Sequence, residues 1–190
     1  MPGDLTGPAA LVVMLHGAGG EARHSIDLVR PHADRLGLIV LAPGAAAQTW
    51  DVIAQRRYDV DVAAIDDLLG RVFQRHAVDP QRVVIAGFSD GASYALSLGL
   101  TNGDLFGRII AFSPGFMVPT FTCGTPAIHM SHGVRDEVLP IDVCSRRIER
   151  QLRAAGYDVD YREFPDGHVV PDSIAASFFS ALANSNIGSS

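Results

Sequence analysis

The pentapeptide Gly87-Phe88-Ser89-Asp90-Gly91 constrains this chain more than any other segment. It follows the apolar run Val83-Val84-Ile85-Ala86 and precedes a helix-like stretch over residues 92–100. Together these read as a strand, a very tight turn and a helix, with a serine at the apex. Such a turn holds the serine in a strained backbone conformation and projects its hydroxyl away from the sheet. Strand and helix backbones nearly touch there, so the positions two before and two after the serine must be small. Gly87 and Gly91 meet that need.

The rest of the chain is organised to suit. Apolar runs of strand length at 11–15, 38–42, 82–88, 108–112, 127–131 and 159–164 alternate with helix-like stretches at 25–36, 60–75, 91–101, 141–155 and 171–183. Several of the runs are continuously apolar, as strands covered on both faces are. In the second helix-like stretch Val62, Ile65, Leu69 and Val72 fall on one face. Asp79-Pro80 reads as the start of the turn into the third strand. The alternation predicts an α/β fold: a mostly parallel sheet, helices on both faces and right-handed crossovers. In such sheets ligands bind outside the carboxyl ends of the strands. No repeat or linker interrupts the pattern, so residues 1–183 are expected to form one domain and the polar stretch 184–190 a flexible tail.

Composition excludes several classes. The net charge is −6, which opposes a nucleic-acid partner, because phosphate binding needs a basic face. All 15 basic residues are Arg, and the absence of Lys rules out a Walker-type phosphate loop. Two cysteines, Cys123 and Cys144, are too few for a disulfide framework and are expected to be reduced. No stretch is long and apolar enough for a membrane span, and the N-terminus lacks the pattern of a signal peptide, so a cytoplasmic location is expected.

The chemistry follows from Ser89. A serine nucleophile needs a base, and the base needs an acid to orient it. Hydrolases with a strand-turn-helix nucleophile carry these in the chain order serine, acid, histidine. After the run 127–131 comes His132-Gly133-Val134-Arg135-Asp136, and after the run 159–164 comes Pro165-Asp166-Gly167-His168. Asp136 and His168 therefore lie at carboxyl ends of strands, on the same edge as Ser89. Glu137 and Asp142 are fallback acids. A tetrahedral intermediate also needs fixed backbone N–H groups facing its oxyanion. His16-Gly17-Ala18-Gly19-Gly20, after the first strand, can supply one through Ala18, and the N–H of Asp90 at the helix start supplies the second.

With these motifs in place the chain resembles the α/β-hydrolase superfamily, in particular the bacterial phospholipase/carboxylesterase branch related to acyl-protein thioesterases and dienelactone hydrolases. The resemblance rests on His16-Gly17-Ala18-Gly19, the Gly87–Gly91 elbow, His132-Gly133 through Asp136 to Pro140, and Gly167-His168, and it covers nearly the whole chain. It implies an α/β-hydrolase fold with Ser89, Asp136 and His168 as a triad, Ala18 and Asp90 as oxyanion donors, and no cofactor. The antiparallel strands usual before the first motif have no counterpart here, which implies either a minimal sheet or a truncated start. Asp90 stands where thioesterase relatives carry Gln, and Ser89 stands where a typical dienelactone hydrolase carries Cys.

Rival motifs are weaker. Gly17-Ala18-Gly19-Gly20-Glu21-Ala22 fits a dinucleotide fingerprint, but the next strand ends Leu41-Ala42-Pro43-Gly44, without the acid that would hold a ribose. His129 and His132, three apart on a strand, point to opposite faces and make a poor metal pair, so no metal is expected. His16 is expected to orient its own loop. Phe116 and Met117, in the apolar loop 113–121, and Trp50 are candidate walls of a substrate pocket. The connection 113–126 is too short for a helical lid, so the site should be open. The expected protein is a serine esterase acting on a small-molecule ester. The alternative is a catalytically silent binding protein on the same fold.

Overall fold

A computed structural model of the chain describes residues 7–182, so the expected tail at 184–190 lies outside the described residues. Six strands, β1 (Ala9–Leu15), β2 (Ile39–Leu41), β3 (Val78–Phe88), β4 (Arg108–Phe112), β5 (Ala127–Gly133) and β6 (Val159–Phe164), form one sheet in the order β2-β1-β3-β4-β5-β6. Every pairing is parallel. The helices are α1 (Ala22–Leu36), the short α2 (Asp51–Ala54), α3 (Val60–Arg75), α4 (Asp90–Thr101), α5 (Ser145–Ala154) and α6 (Asp172–Ser180).

The continuous apolar character of β1 has a direct cause. Leu11, Val13 and Leu15 point to one face and belong to a core that also holds Ile65 and Leu69 of α3, Tyr94 and Leu98 of α4 and, farther across the sheet, Ile148 of α5. Ala10, Val12 and Met14 point to the other face, against Val29 and Ala33 of α1 and Phe178 and Phe179 of α6. Both faces are dry, so alternation has no polar partner to show. Helix α4 is buried from Gly91 to Leu100 and forms the axis of one layer.

Strand order reverses at β1, whose neighbours β2 and β3 lie on opposite sides. The crevice of a doubly wound sheet opens at such a point. The loops that follow β1 and β3 meet there, and they carry the Ala18 turn and Ser89.

Two local expectations are corrected, and one helix was not expected. β3 begins at Val78, and Asp79-Pro80 lies in a bulge within it, between the registers Ala9↔Val78 and Leu11↔Val83. The Asp79 carboxylate fixes the bulge by accepting from the Gln81 N–H and from the Arg82 guanidinium. α5 starts at Ser145, because residues 141–144 form turns rather than a first helical turn. α2 has only four residues, too few for a period to register.

Candidate active site

Ser89 has φ 58° and ψ −120°, one of three non-glycine residues with positive φ among those described. That conformation costs about 1–3 kcal/mol and persists only where the surroundings enforce it. They do so here. The Ser89 N–H is bonded to the Phe112 carbonyl of β4, and its carbonyl accepts the Ala92 and Ser93 N–H groups of α4. A methyl group on Gly87 would lie 2.2 Å from the Gly91 carbonyl oxygen, and one on Gly91 would lie 2.3 Å from that of Leu15. No side chain fits at either place.

His168 and Asp136 are brought to Ser89 by the loops after β6 and β5. These loops touch: a Cβ on Gly133 would sit 2.2 Å from the Gly167 carbonyl oxygen. His168 Nδ1 lies 2.6 Å from Asp136 Oδ2, and His168 Nε2 lies 2.9 Å from Ser89 Oγ. A carboxylate only accepts, so Nδ1 carries the proton and Nε2 accepts from the Ser89 hydroxyl. The Phe88 ring packs 4.7 Å from the imidazole, centroid to centroid. The Asp136 side chain is fully buried. Burial alone would raise its pKa, but N–H donation from Leu139 and Val138 and contact with His168 outweigh that and hold the carboxyl below its ordinary range. The arrangement can deprotonate a serine hydroxyl while an anion steadies the imidazole.

The fallback acids are elsewhere. Asp142 is exposed and pairs with Arg146 at 2.8 Å, and Glu137 is exposed.

The loop after β1 lies against the serine, since a Cβ on Gly17 would come within 3.2 Å of Ser89 Cβ. In this loop the Gly19 N–H bonds the Gln48 carbonyl and the Gly20 N–H bonds the Gly17 carbonyl. The Ala18 N–H has no such partner among the described residues, nor has the Asp90 N–H at the start of α4. Two N–H groups are therefore left free beside Ser89.

A second ring of residues fixes this loop. His16 Nδ1 donates to the Gly17 carbonyl at 2.8 Å, and its Nε2 accepts from the Ala45 N–H at 3.0 Å. Trp50 Nε1 donates to the His16 carbonyl at 2.9 Å, and the Thr49 hydroxyl donates to Asp90 Oδ2 at 2.6 Å. Beneath them, buried Asp51 and Asp61 exchange backbone bonds. Asp61 accepts from the Ala46 and Asp51 N–H groups, and Asp51 accepts from those of Val52, Asp59 and Asp61 and from the Tyr94 hydroxyl. Burial, then the Asp51 contact, push the Tyr94 phenol far above its ordinary value.

This ring overturns one expectation. Trp50 is not a pocket wall: it is wholly buried, stacked on Tyr94 at 5.1 Å and bonded to the loop after β1. It supports the site from behind. Thr49, Asp51, Asp61 and Tyr94 escaped sequence reasoning. Their one signal is Asp51 and Asp61 standing in the first turns of α2 and α3, where acids serve any helix.

Phe116 and Met117 lie on an irregular strap, residues 113–121, that carries no helix. Met117 packs into the core and Phe116 is half-buried. The strap is held by hydroxyls of α4. Ser93 Oγ accepts from the Gly115 N–H, Ser97 Oγ from that of Val118 and Thr101 Oγ1 from that of Thr120. Each hydroxyl donates in turn to the carbonyl one helical turn back, beginning at Ser89. A cavity of about 470 Å³ lies far from this edge, beside α1 and β2, lined by Ile26, Val29, Arg30 and Asp34.

A model of the phospholipase/carboxylesterase family matches residues 54–182. The chain is 30% identical over 135 residues to an acetylxylan esterase of Coprinopsis cinerea, which covers 66% of this chain and 36% of that protein. It is 26% identical over 204 residues to acyl-protein thioesterase 1 of Gibberella zeae, covering 87% and 86% of the two. Among solved structures it is similar to esterase PE8, with a TM-score of 0.77 and 21% identity over 96% of this chain and 95% of that one.

Proposed function

The chain belongs to the phospholipase/carboxylesterase family, and from that premise we propose that it is a serine esterase cleaving carboxylic or thio esters through an acyl-enzyme on Ser89. The Ser89 hydroxyl attacks the ester carbonyl while His168 Nε2 takes its proton. The tetrahedral oxyanion is received by the N–H groups of Ala18 and Asp90. His168 then gives the proton to the departing alcohol or thiol, and water repeats the sequence to free the acid. Asp136 keeps the imidazole in the required tautomer and faces the imidazolium as it forms. No step calls on a cofactor.

The observation that carries this reading is the unbroken line from Asp136 through His168 to a serine in the strained elbow conformation. Labelling with a fluorophosphonate tests it, because only an activated serine reacts. Wild type should label at Ser89 and hydrolyse p-nitrophenyl acetate. Ser89→Ala should do neither while keeping its circular dichroism. A silent binding protein on this fold would leave wild type unlabelled, and full activity in Ser89→Ala would sink the assignment.

A further inference from the structure

One buried histidine has no part in the steps above. His132, on β5, is wholly buried directly behind the acid. Its Nε2 lies 2.8 Å from the Leu139 carbonyl oxygen and 3.1 Å from Asp136 Oδ2. Its Nδ1 lies 2.6 Å from Ser145 Oγ at the start of α5.

The surroundings decide the proton's place. Nε2 faces two acceptors, a carbonyl and a carboxylate, so it must carry hydrogen. Nδ1 faces a hydroxyl, which can donate to it. The other acceptor near that hydroxyl, the Pro114 carbonyl, is farther off at 3.5 Å. Burial opposes a second proton on the ring and lowers the pKa of His132. The ring is thus a neutral imidazole with hydrogen on Nε2.

We propose that His132 is a positioning residue for the acid, its Nε2–H shared between the Leu139 carbonyl and Asp136 Oδ2 so that this oxygen is fixed toward His168. Asp136 then receives four donors: Val138 and Leu139 N–H on Oδ1, and His132 and His168 on Oδ2. That fills the acceptor capacity of a carboxylate. It leaves Asp136 no free direction in which to turn from His168, and no unshared oxygen to draw the proton off His168 Nδ1. The relay runs Ser145, His132, Asp136, His168, Ser89, from α5 to the elbow. Other ionisable groups near His132 are Glu163 of β6, held by Arg146 at 2.7 Å, and Cys144 at the start of α5.

The inference rests on Asp136 being the acid of the triad, and the test separates the two. His132→Leu removes the donor. Its kcat should fall by roughly 10- to 100-fold, by analogy with the loss of an outer partner that orients a metal-ligating histidine or carboxylate. The acid limb of its kcat/KM profile should move to higher pH, because an Asp136 oxygen relieved of one donor holds the His168 imidazolium more strongly. His132→Gln, whose amide reaches a similar point, should restore much of kcat and return the limb toward wild type. A folded His132→Leu with the wild-type limb, or equal losses in the Leu and Gln variants, would overturn the proposal. Should His132→Leu fail to fold, ¹⁵N NMR of wild-type imidazoles decides. His132 should stay neutral with hydrogen on Nε2 from pH 5.5 to 8.5, and an Nδ1–H tautomer or a titration in that range overturns it. Full activity in Asp136→Asn would instead remove the triad assignment while leaving the His132 tautomer to be read on its own.

Discussion

On one flank of Ser89 the acid loop presents a buried carboxylate that accepts from the Val138 and Leu139 N–H groups and has two imidazole nitrogens, of His168 and His132, at 2.6 and 3.1 Å from its other oxygen. On the other flank the strap 113–121 is held to α4 by its own backbone N–H groups, and it exposes Val118 and Phe121. The first flank is determined by side chains and tolerates few changes, because removing one partner strands a buried charge or donor. The second is held by main chain and leaves its exposed side chains, Val118 and Phe121, unconstrained, while Met117 packs into the core. The difference teaches that this molecule is tightly determined at the proposed catalytic acid and more permissive along the strap.

The largest expected effect breaks or keeps that contrast at the acid. Asp136→Asn should lower kcat/KM on the order of a thousandfold or more, by offering His168 the wrong tautomer. Asp142→Asn, at an exposed pair with Arg146, should stay within about twofold of wild type, as surface pairs contribute little. A near-normal Asp136→Asn beside a dead Asp142→Asn would reverse the assignment.

The strap predicts a smaller effect. An open wall without a lid should favour short and medium acyl chains and gain little beyond them, since the far end of a long chain stays in water. Rates on esters from acetyl to palmitoyl, below and above micelle formation, should show no jump at the interface. A strong preference for palmitoyl, or a sharp rise with micelles, would mean that the strap closes over its substrate.

The smallest effect concerns stability. His132 and His129 on β5, and His32 on α1, have pKa values lowered chiefly by burial. Below about pH 6.5 the unfolded chain binds protons at these sites that the folded chain refuses. Their contribution is therefore complete above that pH and is lost as pH falls toward the lowered values. Urea midpoints should decline from pH 7.5 to pH 5. The strap 113–121 holds no ionisable side chain, so the loss belongs to β5 and α1. A flat profile would show that these imidazoles are not buried neutral.

The same contrast sets what could be read from the sequence. Inner strands such as β1 and β4 were legible because buried parallel strands are runs of apolar residues, whereas β6, at the sheet's edge, mixes polar and apolar residues and is only partly buried. Ser89, Asp136 and His168, which the structure brings together, stood out because each lies at a strand end with glycines that close backbone approach demands. Trp50 was misread, since an indole near a strand end looks alike whether it lines a pocket or braces a loop. Asp51 and Asp61 were invisible for a related reason. They bond mainly to backbone N–H groups, which every residue has, so no pattern of residue types marks them.

The hydroxyl ladder of Ser93, Ser97 and Thr101 has an evolutionary consequence. Because it grips only the peptide groups of the strap, exchange of Phe116, Val118 or Phe121 leaves its anchors in place. Were the strap to form the wall of the acyl site, a duplicated copy of this gene could drift through many acyl preferences by single replacements at its exposed positions. On the proposed mechanism, the same wandering at positions 136 or 168 would begin with a nearly inactive ancestor. Families with this ladder should therefore diversify in what they cleave long before they diverge in how they cleave it.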